Sequence, residues 1–218
     1  MKKYWAIFLL PFGFLWQNIE FQEYKIEIGD TLESILFKNL EAIEAVQRFN
    51  RLDEYHLREE TILKIPLQAE FLSAWTPLPS CYSPAKNDAK YILISLENQF
   101  LGGYENGKLK FSFPISTGRK KHPTPQGIFK VLSGDKHHRS NLYKDPQGRA
   151  FYMKWGVLFL NLNGYLYWIH RGPLPGFAGS HGCVRLREKD GEKLFVWVFG
   201  KSKARFFQVK EKIPVEIK

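Results

Sequence analysis

Cysteine is scarce in this chain, and its placement excludes two classes of protein. Only two of the 218 residues are cysteine, Cys81 in a stretch rich in serine and proline, and Cys183 among glycines and histidines. Two isolated cysteines in such different contexts exclude a disulfide-stapled fold. His170 and His181 lie near Cys183, but no second cysteine stands beside it, so the paired ligands of a structural zinc site are missing. We therefore expect no metal ion and no other cofactor.

Acidic residues are scarce in the last two thirds of the chain. Residues 71–218 hold 24 Lys and Arg against 10 Asp and Glu, whereas residues 20–70 hold 6 against 12, and the whole chain has a formal charge of +10. So sharp a change predicts a domain boundary near residue 70. A basic domain attracts an acidic polymer, of which nucleic acid is one kind. The basic residues are scattered along the chain, and this argues against nucleic acid as the partner.

The chain also lacks an apolar run long enough to cross a membrane comfortably. The N-terminal apolar run, residues 4–16, has thirteen residues and follows two lysines, whereas a spanning helix needs about 20. A charged start before a short apolar core is typical of an export signal, and we assign residues 1–17 to one. No small-x-small cleavage site follows, so two fates stay open: removal, or retention of residues 4–16 as a membrane anchor. A buried first strand or helix is the structural alternative.

Residues 22–67 predict a small domain with the order strand, helix, helix, strand. Asp30, with Glu33 three residues later, fits a capping box at the start of the first helix. Asn39 fits the cap of the second helix. The following stretch, residues 68–87, is rich in serine and proline and predicts a linker.

Residues 88–218 predict a second domain that is mostly β. Asn106 and Gly107 separate two strand-like runs and form a strong signal for a type I′ hairpin. Residues 133–149 are polar and predict a long loop, and loops of this length are often lids over a site. A last strand is expected at residues 204–209.

The reactive residues of the chain are concentrated in one glycine-rich segment. His170 ends an aromatic, strand-like run, and His181 stands two residues before Cys183. A thiol near an imidazole is the minimum for nucleophilic catalysis, because the imidazole takes the thiol proton and the thiolate attacks a carbonyl. We expect such a pairing to lower the pKa of Cys183. The glycine before it, Gly182, lets the backbone amides face an oxyanion. Either histidine fits as the base, and a buried, inert cysteine is the structural alternative.

The segment from Ser180 to Leu186, with the isoleucine–histidine pair before it, resembles the signature of the L,D-transpeptidase catalytic-domain family. Residues 115–118 and 124–129 are similar to a second segment of that family. The resemblance runs from about residue 88 to the C-terminus.

This resemblance implies a role for most residues of the segment. Cys183 would be the nucleophile, His170 the base, and the amides of Gly182 and Cys183 the oxyanion hole. Arg171 stands where the family usually has glycine, and its backbone carbonyl would orient the imidazole. The candidate substrate contacts are Ser180, His181 and Arg185. A guanidinium is suited to bidentate pairing with a carboxylate.

The small domain at residues 22–67 resembles a lysin motif (LysM) domain. The resemblance depends on core and cap positions, among them Tyr24, Asp30, Asn50 and residues 63–66. That family binds glycans that contain N-acetylglucosamine, such as peptidoglycan. A small packing module without a ligand is the alternative, because a fold does not by itself prove binding.

The two resemblances together imply an α+β protein, in which a mostly-β, β-sandwich-like L,D-transpeptidase domain follows a βααβ LysM-like domain. The implied partner is peptidoglycan, and the implied location is the periplasm or cell envelope. The thiolate would attack the carbonyl of the L-centre in a tetrapeptide stem, the terminal D-residue would leave, and an amine would resolve the thioester. With water as acceptor the same site would be an L,D-carboxypeptidase. A non-catalytic peptidoglycan-binding protein is the remaining alternative.

Overall fold

The described part of the chain forms two compact units, which divide between Trp75 and Thr76. The computed structural model describes residues 19–59, 61–145, 147–209 and 211–218. The expected export signal at residues 1–17 therefore lies outside the described residues. Within the described ranges, no helix is long and apolar enough to cross a membrane.

The first unit has the predicted order of elements. They are β1 (Phe21–Lys25), α1 (Leu32–Ile35), α2 (Leu40–Asn50) and β2 (Ile62–Pro66). The two strands pair antiparallel, with Phe21 opposite Pro66. Apolar side chains from the helices and strands, including the fully buried Val46 and Leu63, form a small core. The likeness of this unit to a LysM domain stays a prediction.

The helix caps of the first unit follow the prediction at one helix and differ at the other. The side chain of Asn39 caps α2 as predicted. At α1 the cap is Thr31, one residue after Asp30, and its capping-box partner is Ser34. The Asp30 carboxylate instead accepts a hydrogen bond from the backbone N–H of Glu27 at 2.8 Å. The Asp30 side chain thus stabilises the turn between β1 and α1. Because its carboxylate is used there, the following residue, Thr31, caps the helix.

The stretch predicted as a linker, residues 68–87, is ordered within both units. Two short 3₁₀ helices lie in it, Ala69–Phe71 and Ser83–Ala85. In the first unit, the ring of Trp75 packs at 5.1 Å from that of Phe49. In the second unit, the backbone N–H of Tyr82 donates to the carbonyl of Gly107 at 2.7 Å. Aromatic residues between the serines and prolines explain this order, because they have a core to pack against.

The second unit is mostly β, as predicted, with two five-stranded sheets. One sheet contains, in spatial order, β5 (Lys108–Pro114), β4 (Phe100–Glu105), β3 (Tyr91–Ser95), β12 (Pro214–Ile217) and β6 (Gly127–Lys130). The other contains β10 (Val184–Leu186), β9 (Tyr165–Arg171), β8 (Ala150–Leu162), β7 (Ser133–Lys144) and β11 (Phe206–Gln208). The helix α3 (Glu188–Phe199) follows β10.

Both sheets and α3 share one hydrophobic core. Ile92 and Leu101 enter it from the first sheet, Val157 and Ile169 from the second, and Phe195 from the helix, all fully buried. Close packing of this kind holds backbone positions within narrow limits. The strands that carry the reactive residues are therefore held in place by the packing of their other face against this core.

The hairpin predicted at Asn106 and Gly107 is confirmed. The two residues have φ angles of 48° and 77°, the positive values that a type I′ turn requires. Asn163 and Gly164 repeat the arrangement, with φ angles of 50° and 88°, between β8 and β9. This second turn directs the chain into the strand that ends with His170.

The predicted loop at residues 133–149 is wrong for most of its length. Strand β7 runs through to Lys144, and only a short turn separates it from β8. The sequence of β7 resembles a loop because much of the strand is exposed to solvent and therefore carries polar side chains. One of them, His138, is covered by the ring of Trp168 at 4.0 Å.

The C-terminal strands also differ from the prediction. The strand expected at residues 204–209 is shortened to β11, and β12 was not foreseen. Val215 of β12 pairs in parallel with Ile92 of β3, more than one hundred residues earlier. Such a partner leaves no local signal in the sequence.

Candidate active site

The frame of the site is the parallel pairing of β9 and β10. Ile169 lies opposite Val184, and His170 lies opposite Arg185. Paired residues carry their side chains on the same face of a sheet, so the imidazole and the guanidinium face the same side. Cys183 comes directly before β10. The register thus brings together side chains that are thirteen residues apart in the sequence.

These residues line a cavity of about 210 Å³. Its lining residues are Tyr143, Lys144, Phe151, Met153, His170, Ser180, His181, Cys183 and Arg185. Tyr143 and Lys144 come from the end of β7, within the segment predicted as a lid, and Phe151 and Met153 come from the start of β8. Among the described residues, no group of three or more His, Cys, Asp or Glu is placed to hold a metal ion.

A second, larger cavity of about 350 Å³ lies beside the segment that precedes β6. Its lining residues are Leu96, Gln99, Thr117, Gly118, Pro123, Thr124, Pro125, Gln126 and Ala178. None of these side chains titrates near neutral pH, and the hydroxyls of Thr117 and Thr124 are both engaged in hydrogen bonds, to the side chain of Gln99 and the carbonyl of Gly182. The chemistry available to the unit therefore lies in the smaller cavity.

His170 is held in a single tautomer. It is only 2% exposed, and its Nδ1 lies 2.6 Å from the backbone carbonyl of Arg171. A carbonyl only accepts hydrogen bonds, so Nδ1 carries the proton and Nε2 keeps its lone pair. Burial lowers the pKa of His170 to about 3. The imidazole is therefore neutral at ordinary pH, and Nε2 has no hydrogen-bond partner in the described part of the chain.

Arg171 supplies the predicted carbonyl and keeps its side chain out of the cavity. Successive side chains of a strand point to opposite faces, and Nε of Arg171 lies 3.7 Å from a carboxylate oxygen of Glu188. A residue other than glycine is accommodated here because the side chain has this separate partner.

The thiol of Cys183 is half-buried and holds its proton. Burial raises its pKa, although a hydrogen bond from the backbone of Trp168 and the positive charge of Arg185 oppose this effect. The expectation of a lowered thiol pKa is therefore wrong, because desolvation outweighs both stabilising contacts. The resting site pairs a neutral thiol with a neutral imidazole.

His181 has its lone pair occupied. Its Nε2 lies 2.6 Å from Nη2 of Arg119, and a guanidinium only donates, so the imidazole accepts this bond. The rings of His122 and Tyr143 lie 5.0 Å and 4.7 Å from the His181 ring. Partial burial, with the charge of Arg119, lowers the pKa of His181. Of the two candidate bases, only His170 offers a free lone pair in the cavity.

Ser180 and Gly182 shape the loop that presents the thiol. The Ser180 hydroxyl donates to the carbonyl of Cys183 at 2.5 Å and accepts from the amide of Gly182 at 3.0 Å. With 1% exposure, its hydroxyl is occupied within the loop, and contact of Ser180 with substrate stays a prediction. Gly182 has a φ of +113°, and a Cβ there would lie 2.9 Å from the ring of Tyr167. Only glycine fits this position.

The two amides predicted as oxyanion donors differ in availability. The amide of Gly182 already donates to Ser180. The amide of Cys183 has no acceptor among the described residues. In this resting geometry, the second amide is the one open to a ligand.

The second family-like segment, which carried no assigned role, braces the loop. Thr124 Oγ1 donates to the carbonyl of Gly182 at 2.8 Å, and Ser116 Oγ accepts from the amide of Gly179 at 3.0 Å. Both hydroxyl groups belong to buried side chains. A buried serine or threonine needs a partner, and the resemblance to the family was the signal in the sequence that marked this segment.

Tyr165 and Tyr143 add a brace that the sequence did not suggest. The hydroxyl of Tyr165 donates to the carbonyl of His181 at 2.7 Å and lies 2.9 Å from the hydroxyl of Tyr143. The contact connects the end of β7 to the loop before Cys183.

Comparison with known proteins agrees on one family. The YkuD family model, described as the L,D-transpeptidase catalytic domain, matches residues 89–217. A Bacillus licheniformis protein named "Putative L,D-transpeptidase YkuD" is 30% identical over 102 residues, which cover 45% of this chain and 54% of that protein. The chain thus matches about half the length of this curated relative.

Solved structures show weaker likeness. An L,D-transpeptidase from Stackebrandtia nassauensis is 21% identical with a TM-score of 0.48, covering 69% of this chain and 63% of that one. The C442S mutant of an Enterococcus faecium L,D-transpeptidase is 24% identical with a TM-score of 0.45, covering 60% and 50%. Likeness at this level assigns no role to any residue.

Proposed function

The chain belongs to the family of L,D-transpeptidase catalytic domains, and on that premise we propose that it is a cysteine-dependent L,D-transpeptidase of peptidoglycan stem peptides. The observation that carries this proposal is the pairing in one cavity of the Cys183 thiol with a buried, neutral His170. Its Nε2 lone pair is free to take a proton, and its tautomer is held by a backbone carbonyl.

In the first half-reaction, the sulfur of Cys183 attacks the carbonyl carbon of the L-centre in the stem. The thiol proton passes to Nε2 of His170 as the sulfur–carbon bond forms. Because the thiol pKa is raised and the imidazole pKa is lowered, a preformed ion pair is unfavourable. Proton transfer therefore accompanies attack. The tetrahedral intermediate then breaks its carbon–nitrogen bond, and the departing D-residue takes the proton from the imidazolium.

In the second half-reaction, an amine acceptor attacks the thioester. His170 accepts a proton from the amine, the new carbon–nitrogen bond forms, and the carbon–sulfur bond breaks. The proton then returns to the sulfur of Cys183. The site ends as it began, and no cofactor enters either half.

The oxyanion of each tetrahedral intermediate lies at the Cys183 amide. Oxyanion stabilisation depends on donors that are already in place, and this amide is open in the resting site. The Gly182 amide serves as a second donor only after it leaves the Ser180 hydroxyl, so we rank it behind the first.

Arg185 binds the terminal carboxylate of the departing D-residue. Its guanidinium lines the cavity, and among the described residues it makes a single hydrogen bond, a long contact of 3.5 Å to the carbonyl of Gly179. A half-buried cation without an anionic partner is costly, and a substrate carboxylate would supply that partner.

The first unit and the N-terminal segment have proposed roles in bringing the enzyme to its substrate. We propose that the protein is exported to the cell envelope through residues 1–17 and that the LysM-like unit binds peptidoglycan glycans. Binding of this kind raises the local concentration of stems without taking part in the chemistry.

The test of the proposal is covalent labelling followed by product analysis. The protein is incubated with a carbapenem and its intact mass is measured. One thioester adduct is expected on the wild type and on Cys81→Ala, and none on Cys183→Ala. Since Cys81 is also a free cysteine and more exposed, it is the matched control. An adduct on Cys183→Ala would overturn the assignment.

The products that the protein forms from purified sacculi then identify the acyl acceptor. After incubation and muramidase digestion, mass spectrometry should find cross-links between L-centres and side-chain amines. Tripeptide stems without new cross-links would instead show an L,D-carboxypeptidase that uses water. Binding without either product would show a non-catalytic protein.

A further inference from the structure

The catalytic cavity carries more positive charge than one substrate carboxylate requires. Two cations line it, Arg185 and Lys144, and no Asp or Glu does. Arg119 adds a third charge through its contact with His181. None of these three side chains forms an ion pair with a carboxylate in the described part of the chain. An unneutralised set of cations around a cleft attracts an anionic ligand.

Two acidic residues that lie near these cations in the sequence, Asp145 and Glu188, have other partners. Asp145, next to Lys144 in the sequence, accepts from Nε of Arg149 at 2.7 Å and from two backbone amides. Glu188, near the end of β9, pairs with Lys154 and Arg171. Neither of these two carboxylates is therefore placed to neutralise the cations of the cavity.

The two lining cations come from separate elements. Arg185 lies on β10 directly after the nucleophile, whereas Lys144 ends β7 on the hairpin that closes the cavity. A single carboxylate at Arg185 leaves Lys144 without a partner. The arrangement suits a donor with one carboxylate on the departing residue and a second on the part that stays bound.

We propose that Lys144 selects donor stems that carry a second, free carboxylate, and that amidation of this carboxylate weakens binding. The inference rests on the proposed function, since it concerns the donor of that reaction. Two positions of a stem can supply the group: the side chain of a third residue that is a diamino diacid, or the α-carboxylate of a γ-linked second residue. Both offer the same chemistry to the ammonium group.

The experiment compares three soluble tetrapeptide donors with the full-length protein. One has both internal carboxylates free, one is amidated at the third residue, and one is amidated at the second. Release of the D-residue is measured as kcat and KM. We expect at least one amidated donor to lose about two- to fivefold in kcat/KM, mainly through KM, as for an ion pair with an exposed lysine.

Variants of Lys144 show whether this residue causes the preference. Lys144→Gln should react equally with the acidic donor and with the disfavoured amidated donor. Lys144→Glu should prefer the amidated donor. Lys108→Gln, an exposed lysine on the other sheet, is the matched control and should keep the wild-type preference. Circular dichroism of each variant shows that it is folded.

The possible failures are distinguishable. If wild-type protein releases the D-residue equally from all three donors, or if Lys144→Gln keeps the preference, the inference is wrong while the proposed function stands. If the wild type releases it from none of them, the proposed function itself is overturned, and the inference falls with it.

Discussion

The two units of this chain differ in how far apart in the sequence their key hydrogen-bond partners lie. In the first unit, the polar contacts that start the helices are local: Thr31 and Ser34 exchange hydrogen bonds across three residues. In the second unit, the loop before the nucleophile is held by Thr124, 58 residues away from its partner Gly182. Local contacts thus start the helices of the acidic first unit, whose two strands pair separately. Distant contacts build the site.

Charge separates the units as well. Residues 20–70 have an excess of acidic residues, and residues 71–218 have an excess of basic ones. The positive charge includes the cations of the cavity, whereas the first unit contains no cysteine. The proposed function places the chemistry in the second unit and glycan binding in the first, and the following experiments test that division.

The largest effect is expected from the two histidines of the second unit. His170→Ala should lower the rate of Cys183 acylation by roughly 10²–10⁴-fold, the contribution of general-base catalysis. His181→Ala should lose less, because its lone pair is bound to Arg119. Stopped-flow measurement of acylation by a β-lactam gives both rates. A larger loss in the His181 variant would mean that the base has been misassigned.

The next effect concerns stability and pH. The folded-state pKa of His170 is lowered to about 3, whereas an unfolded histidine titrates near 6.5. Between these two pKa values, His170 is protonated in the unfolded chain and neutral in the folded chain. The stability from this residue is fully present above pH 6.5 and is lost as pH falls from 6.5 towards 3, at up to about 1.4 kcal/mol per pH unit.

The measurement is urea unfolding at several pH values for the wild type and His170→Gln. The variant should show a smaller loss of unfolding free energy across this window. Parallel curves would contradict a buried, neutral His170. Residue 56, the one histidine of the first unit, provides the comparison, since His56→Gln should leave the pH dependence of the second unit unchanged.

A smaller effect is expected from one hydroxyl in each unit. Ser180→Ala leaves the buried Gly182 amide without a partner and should lower the unfolding free energy by about 1–3 kcal/mol. Ser34→Ala removes an exposed capping contact and should cost about 0.5–1 kcal/mol. Urea unfolding gives both values. Equal costs would show that burial of the Ser180 network adds nothing.

The smallest effect on chemistry is expected from removal of the first unit. Deletion of residues 22–67 should leave acylation of Cys183 by a small β-lactam unchanged and weaken co-sedimentation with peptidoglycan. The physical reason is that the module acts through local concentration. Equal sedimentation with and without these residues would reduce the module to a spacer.

The sequence by itself determined the features that depend on near neighbours. The turn at Asn106 and Gly107 follows from two residues that tolerate positive φ, and the cap at Asn39 follows from one side chain and the helix beside it. The βααβ order of the first unit and the mostly-β character of the second follow from short patterns. The resemblance to a family likewise depended on the unbroken run around Cys183.

Only the tertiary structure decided how the reactive groups behave. In the proposed mechanism, the preference for His170 over His181 rests on which lone pair is free, and the contact that occupies the lone pair of His181 comes from Arg119, 62 residues away. The raised pKa of Cys183 depends on burial by other strands, which no local pattern reports. The physical reason is that turn and cap energies come from adjacent residues, whereas desolvation and hydrogen-bond partners come from whatever the fold brings into contact.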